Sequence, residues 1–348
     1  MKKIIQQIII ITSIGYSQDG IISGFVSDSS SGEALIGANV IIQETGQGMA
    51  TDMNGYYIIQ NINPGTYTIM ISYVGFRVYR KKITLSSGES IKKDIEMVED
   101  LVELTQIDVT AEKLQRRNNI QPSKINLSPR MMKAAPALAE PDLFRTIQAL
   151  PGVLTTSEYS TGLVIRGGNT DQNLIMLDGI TVYNPSHLGG VFSNFIVDGV
   201  KEAELIKGAY NAEYGGRLSA VLNVISREGN QKEFKGKANI SLLSAQTTME
   251  GPFYKGAWIL SGRRTYFDLV LPKVLPDNIA TNIPPYFFYD VQGHIFSDIN
   301  SKDRLSLSYY TGIDDIVFDT FGLDGRWGNN TISAHWRRVC SERLVGNF

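Results

Sequence analysis

The final third of the chain repeats a two-residue rhythm. Leu305, Leu307 and Tyr309 alternate with Arg304, Ser306 and Ser308; Tyr289, Val291 and Ile295 with Asp290, Gln292 and His294; Ile332, Ala334 and Trp336 with Thr331, Ser333 and His335. Successive side chains of a strand point to opposite faces, so each segment predicts a strand with one apolar, aromatic face and one polar face. A soluble sandwich accommodates such strands by wetting the polar face. A transmembrane barrel accommodates them by turning the apolar face to lipid and the polar face to a lumen. Locally the two fit equally well. The connections favour the barrel, because short turns at 300–303 and 340–343 alternate with longer loops expected at 271–285 and 321–330. No run of 18 apolar residues occurs, so a membrane would be met through strands or at a surface.

Composition agrees with a mainly β chain. Charged residues are 20%, below the typical ~25%, beside 33 Gly, 16 Tyr and 14 Phe. Lys and Arg number 33 against 35 Asp and Glu, and this near-balance argues against a nucleic-acid partner held by a basic surface. Cys340 is the one cysteine, which excludes an intrachain disulfide. His187, His294 and His335 lie far apart without metal-ligand spacing, and no Ser/His/Asp or Cys/His set is apparent. No catalytic, cofactor or metal residue is therefore assigned, and an enzyme is disfavoured. At roughly 150 residues per domain, 348 residues predict two or three domains.

The N-terminus has the layout of a secretory signal over 1–17: Lys2 and Lys3, an apolar run Ile8 to Ile11, then Gly15 and Ser17 before a cut ahead of Gln18. The alternative is a buried N-terminal strand. From Gly20 to Met97 short strands are expected at 20–26, 39–44, 56–60, 67–73, 77–85 and 91–97, separated by turn-rich SDSSSGE, GQG, DMNG, NPG, VG and SSGE. Tyr67, Ile69 and Ile71 fall on one face, the pattern of a half-buried strand in a small sandwich. Asp52-Met53-Asn54-Gly55 opens like a calcium loop but lacks the later liganding carboxylate, so a hairpin turn is expected. The order GANV, TDMNGYY and PGTY resembles the carboxypeptidase-regulatory-like β-sandwich module, over 18–98. That module is an accessory, and no HxxE or HExxH zinc-peptidase signature follows it.

Residues 99–125 form a polar linker containing an extended patch, Leu104 to Ala111. Such a patch can add itself to another protein's sheet edge, or it can be a last sandwich strand. Next, AEPDLFRTIQALPG (139–152) predicts a short amphipathic helix, with Pro141 in its first turn, Leu143, Ile147 and Leu150 on one face and Pro151-Gly152 as its stop. Strands follow at 162–166, 174–177, 180–183, 200–206 and 219–225. Asp178-Gly179 is a hairpin signal, 209–214 a helical turn, and the last strand reads as covered on both faces. Arg166-Gly167-Gly168 lacks the Gly-Lys-Ser/Thr ending of a phosphate loop.

The stretch 126–230, carried by VIRGGNTDQNLIMLDGITVYNP and VKEAELIKGAYNAEYGGRLSAVLNVISREG, resembles the plug domain of TonB-dependent outer-membrane receptors. The resemblance implies an α+β plug inside a transmembrane β-barrel whose first strands occupy 231–348; SGRRTYFDL and WGNNTISAHW resemble early barrel strands. It implies that Ile107, Asp108, Val109, Thr110 and Ala111 are the TonB box, a partner strand for the TonB C-terminal domain. The sandwich ahead of that box resembles the Bacteroidetes-type arrangement. The remaining ~115 residues allow five or six strands, whereas such a barrel closes at about 22, so a C-terminally truncated receptor is expected. The implied setting is the Gram-negative outer membrane, with lipid around the wall, an extracellular ligand above the plug and room for a surface lipoprotein partner. The implied function is energised uptake of a scarce siderophore, cofactor or oligosaccharide. The alternative is a non-transporting periplasmic or surface binding and signalling module. Tyr183, Asn184, His187 and Leu188 are the candidate ligand-facing residues of the loop Tyr183 to Gly190, with Asn184, His187 and Leu188 expected to be exposed on this turn-rich stretch.

Overall fold

The computed structural model describes residues 19–100, 124–135, 140–157, 160–241, 243–274, 276, 285–300, 302–318, 323–341 and 344–348. The signal segment and the TonB-box residues 107–111 lie outside the described residues. The chain divides into two compact units, Met1–Gln115 and Arg116–Phe348.

Among the described residues eight strands build the first unit: β1 (Gly20–Asp28), β2 (Asn39–Ile42), β3 (Gly48–Ala50), β4 (Tyr56–Ile62), β5 (Gly65–Ser72), β6 (Tyr79–Leu85), β7 (Ser90–Lys92) and β8 (Ile95–Met97). One sheet sets β1 between antiparallel β4 and parallel β7 and β8; the other runs β3-β2-β5-β6. Alternation in each strand sends Ile22, Val26, Val40, Ile42, Ile59, Ile69 and Ile71 into one apolar core. Asp52 makes a turn, its Oδ1 accepting from Asn54 N at 2.8 Å and Tyr56 N at 2.9 Å, but the flanking β3 and β4 lie in different sheets, so it joins the two sheets rather than closing the expected hairpin. The strand expected at 91–97 is two strands, because Asp94 Oδ1 accepts the Phe25 N–H at 3.0 Å and interrupts the ladder with its side chain.

The second unit begins with β9 (Lys124–Leu127) and continues through β10 (Val153–Thr155), β11 (Leu163–Ile165), β12 (Leu174–Leu177), β13 (Ile180–Thr181), β14 (Ser186–His187), β15 (Phe192–Ser193), β16 (Val200–Ile206) and β17 (Val221–Ser226). Its main sheet has the order β13-β12-β17-β16-β9. Asp178 and Gly179 sit at φ 48° and 80°, the left-handed pair that a two-residue β12–β13 turn requires. β17 is covered on both faces, by Leu205 and Val200 on the side of Leu222 and Val224, and by Leu174, Met176 and Ile206 on the side of Val221. A helix Pro129–Ala134, capped by Ser128, was not expected from the sequence although Ser128-Pro129 is a start signal. The second helix is Leu143–Gln148, shorter than expected. Pro141 precedes its cap rather than joining its first turn, because Asp142 Oδ1 accepts from Arg145 N at 3.1 Å. Residues 209–214 form no helix; Ala209 takes φ 55° and the Tyr210 hydroxyl is tied to Arg217 O at 2.6 Å.

Seven strands then form one antiparallel meander: β18 (Lys235–Ile240), β19 (Ser244–Phe253), β20 (Gly256–Thr265), β21 (Tyr286–Asp298), β22 (Asp303–Phe318), β23 (Leu323–Ser341) and β24 (Leu344–Asn347). This is more than the five or six expected, because β24 needs only four residues. β18 and β24 are its edges and do not pair with each other, so among the described residues the sheet is an open wall. The expected loop at 321–330 is largely strand: β22 and β23 stay paired out to Phe318↔Leu323. The 266–285 connection instead carries a helix, Phe267–Val274. Among the described residues no helix is long and apolar enough to cross a membrane.

Candidate functional site

The pleat of the wall sorts its side chains into two faces. Leu260, Leu305, Leu307, Tyr309, Ile332 and Trp336 are exposed on one; Ser261, Arg263, Asp290, Gln292, Ser308 and Tyr310 are buried on the other. An apolar outer face against a polar inner one is the barrel arrangement. What covers the polar face is the β9–β17 region, the stretch expected above to be a plug and so called below.

Register decides where the inner charges meet. Arg263 on β20 pairs with Asp290 on β21, which pairs with Gly312 on β22, which pairs with Asn329 on β23. The four form one row across the wall. Arg263 donates from Nε and Nη2 to Asp290 Oδ2 at 2.8 and 2.6 Å, and from Nη1 to Glu140 Oε1 of the plug at 2.6 Å. Its Nη2 also reaches the plug carbonyl Ser193 O at 2.6 Å. Glu140 Oε2 accepts from Ser244 Oγ at 2.5 Å and from Gln246. Asp142, the helix cap, takes Ser193 N–H on Oδ2 at 2.7 Å, so one carboxylate fixes both a helix start and the β14–β15 hairpin.

His187 on that hairpin is fully buried. Its Nε2 lies 2.9 Å from Asp290 Oδ1 and its Nδ1 2.8 Å from Asp314 Oδ2. The ring stacks on Phe288 with centroids 4.1 Å apart. Tyr310 donates to Asp290 Oδ1 at 2.9 Å, and Tyr286 donates to Asp314. Burial opposes a charged imidazole, yet the facing Asp290 and Asp314 outweigh it and raise the His187 pKa above its ordinary value. Next to it Leu188 is held at φ 50°, a conformation costly for a residue with a side chain, with its N–H on Asp314 Oδ1 at 3.0 Å.

The expected ligand-facing set is therefore divided. Tyr183 is 79% exposed and Leu188 38%, whereas His187 is not exposed at all: its two carboxylate partners draw it into the junction. Asn184 is half-buried, and its carbonyl accepts from Asn329 Nδ2 at 2.6 Å and Asn194 Nδ2 at 2.7 Å. The loop lies against the end of the wall where the long 266–285 connection leaves, since Tyr286 opens β21 there.

At the other end, Arg227 Nη2 meets Glu250 Oε2 at 2.7 Å, Arg304 Nη1 meets Glu228 Oε1 at 3.3 Å, and Asp198 takes Lys133 and Lys237 at 2.5 and 2.6 Å. Burial raises the Asp198 pKa, but the two lysines prevail and hold it below the usual carboxylate range. A cavity of about 340 Å³ lies among Lys133, Asp198, Arg227, Lys237 and Glu250, whose charges are spent on one another. Among the described residues no group of three or more His, Cys, Asp or Glu is placed to hold a metal ion.

Comparison with known proteins matches residues 22–109 to the CarboxypepD_reg-like domain and residues 127–221 to the TonB-dependent Receptor Plug Domain. Both matched stretches are similar to parts of TonB-dependent receptors. It is 25% identical over 237 residues to the TonB-dependent transporter Oar of Myxococcus xanthus, across 64% of this chain and 22% of that protein. It is 30% identical over 224 residues to the TonB-dependent receptor P26 of Formosa agariphila, across 60% of this chain and 21% of that receptor. The chain thus spans about a fifth of the length of these curated relatives. The ferric enterobactin receptor PfeA of Pseudomonas aeruginosa superposes with a TM-score of 0.46 at 18% identity, covering 64% of this chain and 39% of that one. These two curated relatives are named a transporter and a receptor. The plug match and the polar side of the wall meet in the Arg263–His187 row, which pattern reading missed. The signal was present as Arg263, Asp290 and Asp314 on inward rows, but the pairs His187–Asp290 and His187–Asp314 are separated by 103 and 127 positions.

Proposed function

We propose that the chain is the plug and first wall of an outer-membrane receptor that takes up a scarce ligand, with energy delivered by TonB through Ile107, Asp108, Val109, Thr110 and Ala111. The observation that carries this reading is a plug seated on the polar face of an antiparallel wall whose opposite face is apolar. Lipid would take the outer face, since a row of exposed Leu, Ile, Tyr and Trp side chains loses its unfavourable hydration there. The edges β18 and β24 would need further strands, because unpaired N–H and C=O groups cost several kcal/mol each in lipid. Tyr183 and Leu188, exposed at the long-connection end, are the side chains proposed to meet the ligand, with Asn184 and His187 beneath them as supports.

In this mechanism nothing is hydrolysed by the chain itself. Ligand contact at the exposed loop shifts the plug, the segment 107–111 becomes available, and TonB adds it as a strand through main-chain hydrogen bonds. Tension then reaches the plug through β9, an edge strand held to β16 and by the 2.5 Å Lys124–Glu204 ion pair. A peptide spanning Glu103 to Lys113 is expected to bind the TonB C-terminal domain, and Val109→Pro to abolish binding by removing a ladder donor. Equal binding of the two peptides in calorimetry would refute strand addition.

A further inference from the structure

We infer that His187 is a doubly protonated strut that pins the exposed loop of the plug to two neighbouring wall strands, and that removing one proton loosens that loop. The inference goes beyond ligand uptake and stands on the plug–wall geometry alone.

A carboxylate only accepts, and a neutral imidazole has one N–H and one lone pair. Asp290 receives both Arg263 nitrogens on Oδ2 and the Tyr310 hydroxyl on Oδ1, which fixes it as a carboxylate. The 2.9 Å contact from Nε2 to Asp290 Oδ1 therefore needs a proton on Nε2. Asp314 Oδ1 receives the Leu188 N–H and the Tyr286 hydroxyl, and a carboxylate Oδ2 at 2.8 Å from Nδ1, which can only accept, needs a proton on Nδ1. A neutral ring would set a lone pair against a carboxylate oxygen at one side or the other.

Charge balance points the same way. The groups around the ring are Arg263 from β20, Tyr286 and Asp290 from β21, Tyr310 and Asp314 from β22, and Glu140 from the plug. With a neutral His187 this buried set holds three carboxylates against one guanidinium; an imidazolium cuts the excess from two negative charges to one, where each uncompensated buried charge is expensive. The proton is thus part of the fastening. Because the folded-state pKa is raised, the contribution is complete below the ordinary histidine value of ~6.5 and is lost as pH climbs through the folded value. Loss of the Asp314 contact removes the restraint beside Leu188, whose φ of 50° has the least intrinsic support in the loop.

The full chain in detergent micelles, labelled with ¹⁵N-histidine, tests this directly. The chain has 3 histidines, and His187→Asn identifies the signal that belongs to position 187. Both ring nitrogens of His187 are expected at the imidazolium position at neutral pH; one protonated and one bare nitrogen there would overturn the inference. Amide hydrogen exchange over 186–193, corrected for the intrinsic effect of pH, is expected to quicken at least ~tenfold between pH 6 and 10 in the native chain, and to be fast at every pH in His187→Asn. Indistinguishable profiles for the two chains would overturn it as well. Should the variant fail to fold, Asp314→Asn supplies the signal assignment by shifting only the ring it touches, and the native-chain spectrum still decides.

Discussion

In the N-terminal sandwich the buried set is Ile22, Val26, Val40, Ile42, Ile69 and Ile71, and the polar atom that goes under with them, the Tyr57 hydroxyl, finds a backbone acceptor. Where plug meets wall the buried set is Arg263, Glu140, Asp290, His187 and Asp314. An apolar core is held by area: it has no preferred direction and tolerates repacking. A charged junction is held by pairing. It is firm while every partner is present, and losing one partner leaves the others uncompensated. The first suits a module that keeps one shape. The second suits two surfaces that must hold in one state and part in another.

The sharpest way to break the contrast is Arg263→Ala. It strands Asp290 and Glu140 as buried carboxylates and removes the donor to Ser193 O. The expected cost is ~3–5 kcal/mol, read as earlier urea unfolding of the second unit with the sandwich transition unchanged. Adding Asp290→Asn and Glu140→Gln is expected to recover part of the loss, because the stranded charges go with them. An unaltered second transition in Arg263→Ala would mean that area, not pairing, holds the plug.

The two regions also differ in how far a sequence exposes them. In the sandwich, period-2 alternation and Gly-bearing turns give each strand locally, and the errors are local too: the side-chain interruption at Asp94, and β3, whose three residues carry no alternation to detect. In the plug, β16 is legible to the residue and the β12–β13 turn follows from Asp178-Gly179, since each depends on neighbours in the chain. The wall's two faces were legible for the same reason. The junction was not, because what makes Arg263, Asp290 and His187 one site is cross-strand register, and register depends on where each hairpin turns. The misplaced loop at 321–330 shows how an error of that kind propagates: with β23 begun too late, Asn329 has no place opposite Gly312 and no view of Asn184.

A second test uses pH. Glu202 on β16 is buried, and its Oε2 has no hydrogen-bond partner among the described residues. Burial, then the neighbouring Glu204, push its pKa up from 4.5 to about 7. A carboxyl with a raised folded-state pKa stabilises the fold fully below its unfolded value and loses that contribution as pH rises through 7. Between pH 4.5 and 7 the second unit is therefore expected to lose roughly 3 kcal/mol from this group, and Glu202→Gln is expected to flatten that slope. A slope that survives the substitution would assign it elsewhere. The sandwich, whose buried carboxylate Asp28 is bonded to the Ser30 and Ser31 hydroxyls at 2.9 Å, serves as the internal control.

Gly312 offers a smaller effect on the same row. A Cβ there would overlap the Tyr310 hydroxyl and lie 2.6 Å from Asp290 Oδ1, so the missing side chain is what lets Tyr310 reach Asp290. Gly312→Ala is expected to cost ~1–3 kcal/mol and to weaken protection at 186–193. If stability falls while that protection is intact, the glycine serves strand packing alone.

The smallest effect sharpens the comparison from the other side. Tyr57 is fully buried in the sandwich, and its hydroxyl donates to Lys93 O at 2.8 Å, beside the break between β7 and β8. Tyr57→Phe keeps the ring and its packing, removes one neutral hydrogen bond and leaves one carbonyl without that donor. The expected loss is about 1 kcal/mol, independent of pH from 5 to 9, because no charge changes partner. In the junction, deleting a single donor from Arg263 disturbs every group bonded to it; in the sandwich, deleting a donor disturbs one carbonyl. A loss of several kcal/mol in Tyr57→Phe, measured in the sandwich transition, would show that its core also depends on a polar keystone, and the distinction drawn between the two regions would fail.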